Sequence, residues 1–409
     1  MNSTATTPGN ERTPQQTFLI EAAMMLHRYG TPSHRLERLL SQVATSLGIH
    51  GVFLYTPTAL VISLAAPDRP ELTVVRRVDA GAVDVNKLIQ FDRVLSRVEG
   101  GKISPQAATD ELHKIDQSKG LYNWPLYSLA CSVACMCVAV FFGGAIHEIV
   151  VSGLIGLLVS GLELFNERQK MELGLLEPLA GLTAATGSLL VAHYIVPIDD
   201  QLTTLAGLIV LIPGLKLTVA MTELAVGHLS AGMARLAGAL VSLATMFVGV
   251  ALVWKVAGHL PPIVGPTIAP AFYWRWIALL IAPVAFAIVF RAGFRQWPII
   301  AIVSILGVVV SWLIEPRMGV EVASFFGALT VGCTSNLYAR IRDLPALVTQ
   351  TPGMLILVPG SVGYRSLSAL LEKQTMEGIQ FGFVTILIAA SLVGGLLVSN
   401  AIVPPKRIL

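Results

Sequence analysis

Charged side chains are scarce in this 409-residue chain: Asp, Glu, Lys and Arg make up 13%, against 54% hydrophobic residues and a mean hydropathy of +0.71. Soluble domains carry about 25% charged residues, so this balance excludes an ordinary soluble protein and indicates an integral membrane protein. The net charge of +3 is spread out, with no basic block beyond Lys406-Arg407, and no nucleic-acid partner is expected. The four cysteines, Cys131, Cys135, Cys137 and Cys333, lie in apolar stretches without His or carboxylate at metal-ligand spacing. They read as small packing residues, and neither a metal nor another cofactor is expected. His147-Glu148 lacks the second His of a zinc-protease helix, and no nucleophile elbow or phosphate loop occurs, so no enzymatic activity is expected. The first residues are Ser, Thr, Asn, Pro and Gly with no apolar core, which predicts no cleavable signal peptide and a cytoplasmic N-terminus.

What is present begins with amphipathic patterning. From Pro14 to Leu47 apolar residues recur at helical spacing (Phe18, Ala22, Met25, Leu26, then Leu36, Leu39, Leu40, Val43). The stretch YGTPS interrupts them, where Gly30 can end one helix and Thr31 or Ser33 can start the next. Three β-rich runs follow, GVFLYTP, ALVISLAAP and LTVVRRVD, then helical patterns over roughly 84–99 and 104–117. Residues 1–120 are predicted to form a small α+β cytosolic domain. Within it His34, Arg35 and Glu37, with Asp84 and Arg93, fit either a ligand or hydrolase site or a charged helix face packed on its neighbours. A regulatory or gating role is expected.

Beyond residue 120 the character changes. Runs of about 17–25 mostly apolar residues, the length that crosses a bilayer, recur ten times, roughly at 125–144, 146–164, 175–197, 202–225, 232–256, 273–290, 297–314, 320–339, 346–370 and 378–402. All six tryptophans (Trp124, Trp254, Trp274, Trp276, Trp297, Trp312) fall at span ends, as an aromatic belt requires. With the N-terminus inside, inward loops hold Arg168 and Lys170, Arg291 and Arg295, Arg340 and Arg342, and Lys406 and Arg407; outward loops hold fewer, and the outward PIDDQ at 197–201 is acidic. The positive-inside rule then places both termini in the cytoplasm.

The fourth and ninth spans share a feature. LIVLIPGLKLTVAMTELA places Ile212, Pro213 and Gly214 where TPGMLILVPGSVGYRSL has Val358, Pro359 and Gly360. At the same offset Gly181 matches Gly327, and with one residue deleted Gly249 matches Gly394. These coincidences predict duplication of a five-span unit. An odd number of spans makes the second copy enter from the opposite side, so the fold class expected is an α-helical polytopic membrane protein of two inverted five-helix repeats, 121–258 and 259–409, behind the cytosolic domain. Inverted repeats mark secondary transporters. Proline removes an amide donor and frees the carbonyl four residues earlier, and glycine permits a sharp bend. Each Pro-Gly span would therefore break near its middle, unless the pairs are ordinary kinks, and broken ends are tolerated only where they face protein or a watery cavity. Helix fragments starting after Gly214 and Gly360 would offer amides to an anion such as a substrate carboxylate.

Ionisable groups within spans are expensive and usually have a task. Lys216 or Arg365 could hold a substrate carboxylate, and Glu223 could hold an ammonium or relay a proton; alternatively the two bases snorkel and Glu223 lies at the surface. Glu148, Glu163 and Glu177 sit near span ends, where a solvated carboxylate is the plainer reading, and Glu177, beside Pro178, is the best proton carrier of the three. Ser335 and Asn336 could bond a ligand or bond between helices. His147 and His193 read as interfacial residues.

The Gly-x-x-Ser-x-Arg-x-Glu pattern (Gly30, Ser33, Arg35, Glu37) and the Pro-Gly-Ser-x-Gly-Tyr-Arg block (Pro359, Gly360, Ser361, Gly363, Tyr364, Arg365) resemble the threonine/serine exporter family over nearly the whole chain. The resemblance implies efflux of threonine and serine across a bacterial inner membrane, coupled to the proton gradient, with Ser361 and Tyr364 joining the candidate site. Leu215 in place of Ser361, and no Tyr-Arg, mark divergence of the first half. The alternatives are export of a small carboxylic acid such as a dicarboxylate, and a membrane-embedded hydrolase. A homo-oligomer is compatible with this reading.

Overall fold

In α1 (Pro14–Arg28) the chain starts with a capping box: the Thr13 hydroxyl accepts from Gln16 N at 3.1 Å while the Gln16 side chain accepts from Thr13 N at 2.9 Å. Tyr29 caps the other end and Gly30 follows at φ +80°, the left-handed position that glycine favours. The second helix, α2 (Ser33–Ser46), is not started as expected, because its N-cap is Pro32 and no side chain caps it; Thr31 and Ser33 are buried instead. Strands β1 (His50–Thr56), β2 (Ala59–Ala65) and β3 (Leu72–Arg77) form an antiparallel meander with Leu54 opposite Val61 and Val61 opposite Val75. Alternation puts Phe53, Tyr55, Leu60, Ile62 and Val74 on one face, against Phe18, Leu36, Leu40 and Phe91 of the helices. Two more helices complete this part, α3 (Val85–Glu99), capped by Asp84, and α4 (Pro105–Gln117), capped by Ser104.

This computed structural model describes residues 12–67, 69–78, 81, 83–169, 174–257 and 271–407. The polar start of the chain, Lys170 and the boundary at 258/259 lie outside them. Two compact units emerge, Met1–Lys119 with Arg407–Leu409, and Gly120–Lys406.

The second unit is helical. Its helices are α5 (Trp124–Phe141), α6 (Ile146–Gln169), α7 (Leu176–Tyr194), α8 (Asp200–Gly207), α9 (Gly214–Ala225), α10 (Leu229–Ala257), α11 (Tyr273–Val289), α12 (Trp297–Arg342), α13 (Leu347–Met354), α14 (Gly360–Leu371) and α15 (Thr375–Ile402). Among the described residues five segments are long and apolar enough to cross a membrane, within α5, α6, α10, α12 and α15, and α11 is a shorter apolar helix. Large apolar side chains such as Leu154, Leu158, Val241, Leu280, Leu313 and Phe383 are exposed, which suits contact with lipid and not with water.

α12 is not one rod. A straight helix of 46 residues would reach about 70 Å, over twice the ~30 Å hydrocarbon core. At Gly319 the backbone leaves the helical region (φ 84°, ψ 166°), and the two arms fold back on each other: a Cβ on Gly307 would lie 2.5 Å from Val331 Cγ2, and one on Gly327 would lie 3.1 Å from Gly307 O. The turn that separates the arms is thus a single glycine.

Small residues bring backbones together, as membrane packing requires. A Cβ on Gly181 would strike Met246 O and one on Gly249 would strike Pro178 O, each at 2.0 Å, so α7 and α10 touch along their main chains. In the second half, Gly395 makes the corresponding approach to the second arm of α12, at Phe325 O (2.3 Å) and Leu329 N (2.9 Å). This corrects the alignment by one residue, because Gly394 meets only the Phe325 ring, at 3.4 Å. Gly327 likewise packs on the first arm of α12 and not on α15.

Candidate functional site

The two Pro-Gly pairs sit at interruptions of matching dimensions. α8 has 8 residues and α9 has 12; α13 has 8 and α14 has 12. Pro213 (φ −78°, ψ 37°) and Pro359 (φ −82°, ψ 23°) are the N-caps of α9 and α14 and lie in nearly the same conformation. The glycines behind them meet. A Cβ on Gly214 would stand 3.2 Å from both Gly360 Cα and N and 2.9 Å from Val358 Cγ2; one on Gly360 would stand 3.0 Å from Gly214 Cα and 2.6 Å from Ile212 Cγ2. The contact is reciprocal, with each glycine touching its counterpart and the residue two before it. Only glycine allows backbones this close. The Gly214 amide itself donates to Ile212 O at 2.8 Å. Pro213, Gly214, Pro359 and Gly360 are buried, and Ser361 is half-buried in the first turn of α14.

One turn further along α14, Tyr364 is 2% exposed and edge-on to Phe247 at 5.6 Å, and its hydroxyl has no hydrogen-bond partner among the described residues. Arg365 is exposed, with its guanidinium 5.1 Å from the Phe142 ring centroid at the end of α5. Both line an open cavity of about 310 Å³ with Asp199, Gln201, Glu372 and Glu377. Gln201, in the first turn of α8, donates to Glu372, the C-cap of α14. The start of one broken helix pair therefore lies beside the end of the other, so the two run antiparallel past the glycine contact.

The remaining candidates are dispersed. Lys216, two residues past Gly214, is exposed. Glu223 is 0% exposed and holds Arg235 of α10 through two hydrogen bonds of 3.0 and 3.1 Å. It is neither at the surface nor open to an ammonium. Glu177 is half-buried and accepts from the Ser242 hydroxyl at 3.2 Å. Asn336 donates to Asn400 Oδ1 (2.8 Å) and Val403 O (2.9 Å), an interhelical bond to α15, and Ser335 is buried beside it. Two residues escaped the sequence reading. Arg235 was given no role, and Glu148, read as solvated, is 1% exposed and accepts from Asp199 N at 3.1 Å, anchoring the start of α8.

In the first unit, Asp84 is taken up by the cap of α3, accepting from Lys87 N at 2.9 Å. Burial is the main cause lowering Arg35 to about 10, with the charge of Arg38 adding to it. Lys87 is buried and donates to Tyr29 Oη (3.1 Å) and Asp116 O (2.8 Å), a satisfied network between α3, α4 and the end of α1.

The profile of the threonine/serine exporter family matches residues 17–257, and a second profile of the same exporters matches 275–402. Among relatives, an uncharacterized protein of Schizosaccharomyces pombe is 25% identical over 97% of this chain and 51% of its own length. The pheromone-regulated membrane protein 10 of Saccharomyces cerevisiae is 24% identical over 95% and 54%. The threonine/serine exporter of Corynebacterium glutamicum is 24% identical over 78% and 68%. The chain thus spans about half the length of the fungal relatives it matches. No solved structure matches it. With apolar spanning segments and two profiles that together run across almost its whole length, this multi-pass membrane protein belongs to the threonine/serine exporter family.

Proposed function

We propose that this protein is a secondary transporter that exports threonine and serine across a bacterial inner membrane, with both termini cytoplasmic, by alternating access around the two broken helices. The observation that carries the reading is the reciprocal contact of Gly214 and Gly360 between two interrupted helix pairs of equal division that pass antiparallel. Ten spans in two inverted five-helix halves account for it, with α5 to α10 as one half, α11 to α15 as the other, and the arms of α12 as two spans. A close glycine-to-glycine contact, flanked by Ile212 and Val358, is the pivot on which one half turns against the other in this reading. The name of the Corynebacterium relative supplies the substrate. Protons are the coupling ion in this reading, and Glu177 carries them, since Arg235 already engages Glu223. The first unit gates or regulates.

The test is flux of labelled threonine in proteoliposomes with and without a pH gradient, with serine and succinate as competitors. Flux that follows the gradient and is blocked by serine is expected. Replacing Pro359-Gly360 by Ala-Ala should abolish it while leaving the protein inserted; unchanged flux in that variant would sink the broken-helix mechanism, and flux of succinate alone would sink the amino-acid assignment.

A further inference from the structure

The cavity beside the broken helices is lined by groups of both charge signs. The cation is Arg365, held against the Phe142 ring and making no hydrogen bond or ion pair among the described residues. Stacking on the ring leaves the N–H edge of a guanidinium available, and that edge fits a carboxylate. The opposite sign comes from Asp199 at the start of α8, Glu372 at the end of α14 and Glu377 in the first turn of α15. The Asp199 carboxylate accepts from Leu202 N and Glu372 accepts from Gln201; both are neutral donors, so no cation satisfies either acid among the described residues. The volume of about 310 Å³ is at the small end for a ligand site.

We infer that this cavity recognises the zwitterion of an amino acid, with Arg365 taking the carboxylate and Asp199 and Glu372 taking the ammonium. The inference rests on the transport reading and adds to it the groups that read the ammonium, in place of Glu223. Three acids and one base lining the same cavity repel a dicarboxylate, which would bring two negative charges to a single cation. An amino acid matches one charge of each sign. Arg365 and Glu372 belong to α14 and Asp199 to the start of α8, so an ammonium held by Asp199 and Glu372 together ties α8 to α14.

The experiment measures dissociation constants of threonine, threonine methyl ester and N-acetylthreonine for the purified full chain, from ligand-dependent thermal stabilisation, alongside threonine flux. The wild type should prefer threonine to both analogues. Arg365→Gln should weaken threonine binding about tenfold or more and remove the preference over the methyl ester alone. Asp199→Asn combined with Glu372→Gln should remove the preference over N-acetylthreonine alone, and asparagine keeps the α8 cap intact. Should Arg365→Gln fail to fold, Arg365→Lys keeps the charge without the fork, and a fall of about threefold or more in the ester preference is expected. Preferences that survive these substitutions in a protein that still binds and moves threonine overturn the cavity assignment and leave the transport reading standing. A wild type that neither binds nor moves threonine overturns both.

Discussion

A carboxylate with no exposed surface needs a partner, and Glu223 finds one twelve residues along the chain, in Arg235, after Gly227 (φ +90°) turns α9 into α10. That pairing was not legible, because a separation of twelve across a turn belongs to no helical repeat. Glu148 was misread for a related reason: its sequence position marks a span end, but whether a span end is wet depends on what packs over it, here the start of α8. Arg365 and Tyr364 were legible, since an arginine and a tyrosine inside an apolar run stand out whatever the fold. The Glu223–Arg235 pair gives a prediction. Glu223→Gln alone leaves Arg235 with a lost countercharge, and should destabilise the protein by about 3–5 kcal/mol, as should Arg235→Met alone. The double variant, which removes both charges, should recover most of that loss. Thermal unfolding of the four proteins in detergent reads the cycle, and losses that simply add in the double variant would show that the pair does not stabilise the fold.

Among the elements, those punctuated by proline and glycine were the readable ones. Pro213-Gly214 and Pro359-Gly360 mark where α9 and α14 begin, because proline withholds the amide a continuous helix would need. The two arms of α12 were read as separate spans from the length of their apolar runs, but Pro316 and the surrounding charges stay helical and Gly319 alone makes the turn. The start of α2 was missed because two good capping residues, Thr31 and Ser33, are buried in the fold in place of capping it. Gly319 at φ 84°, ψ 166° occupies a region essentially closed to other residues, and an added Cβ would also lie 3.1 Å from Glu321 Oε2. Gly319→Ala should therefore destabilise the hairpin by about 1–3 kcal/mol. Gly238→Ala, in α10 with open space around it, is the control and should be neutral or slightly stabilising. Equal melting temperatures for the two variants would show that the turn can be remade without glycine.

For the molecule as a whole, a duplicated pattern in the sequence becomes a contact in space: the residues that recur, Ile212 to Gly214 and Val358 to Gly360, are the ones that touch. The shift from Gly394 to Gly395 was legible, because the offset that pairs Gly181 with Gly327 and Gly214 with Gly360 also pairs Gly249 with Gly395, and the deletion introduced to reach Gly394 was unnecessary; helix phase separates the two glycines by about 100°. An antiparallel passage of the broken helices is what two inverted repeats would require, but the bond between Gln201 and Glu372 could come only from the fold. If alternating access moves α8 against α14, that bond must break in each cycle. In a background with Cys131, Cys135, Cys137 and Cys333 replaced, Gln201→Cys with Glu372→Cys should form a cross-link under oxidation that stops threonine flux, and reduction should restore it to the rate of the unoxidised double variant. Each single cysteine should be indifferent to oxidation. Complete cross-linking with flux undiminished would mean that these two ends travel as one body, and the moving boundary would then have to lie elsewhere than between the broken helices.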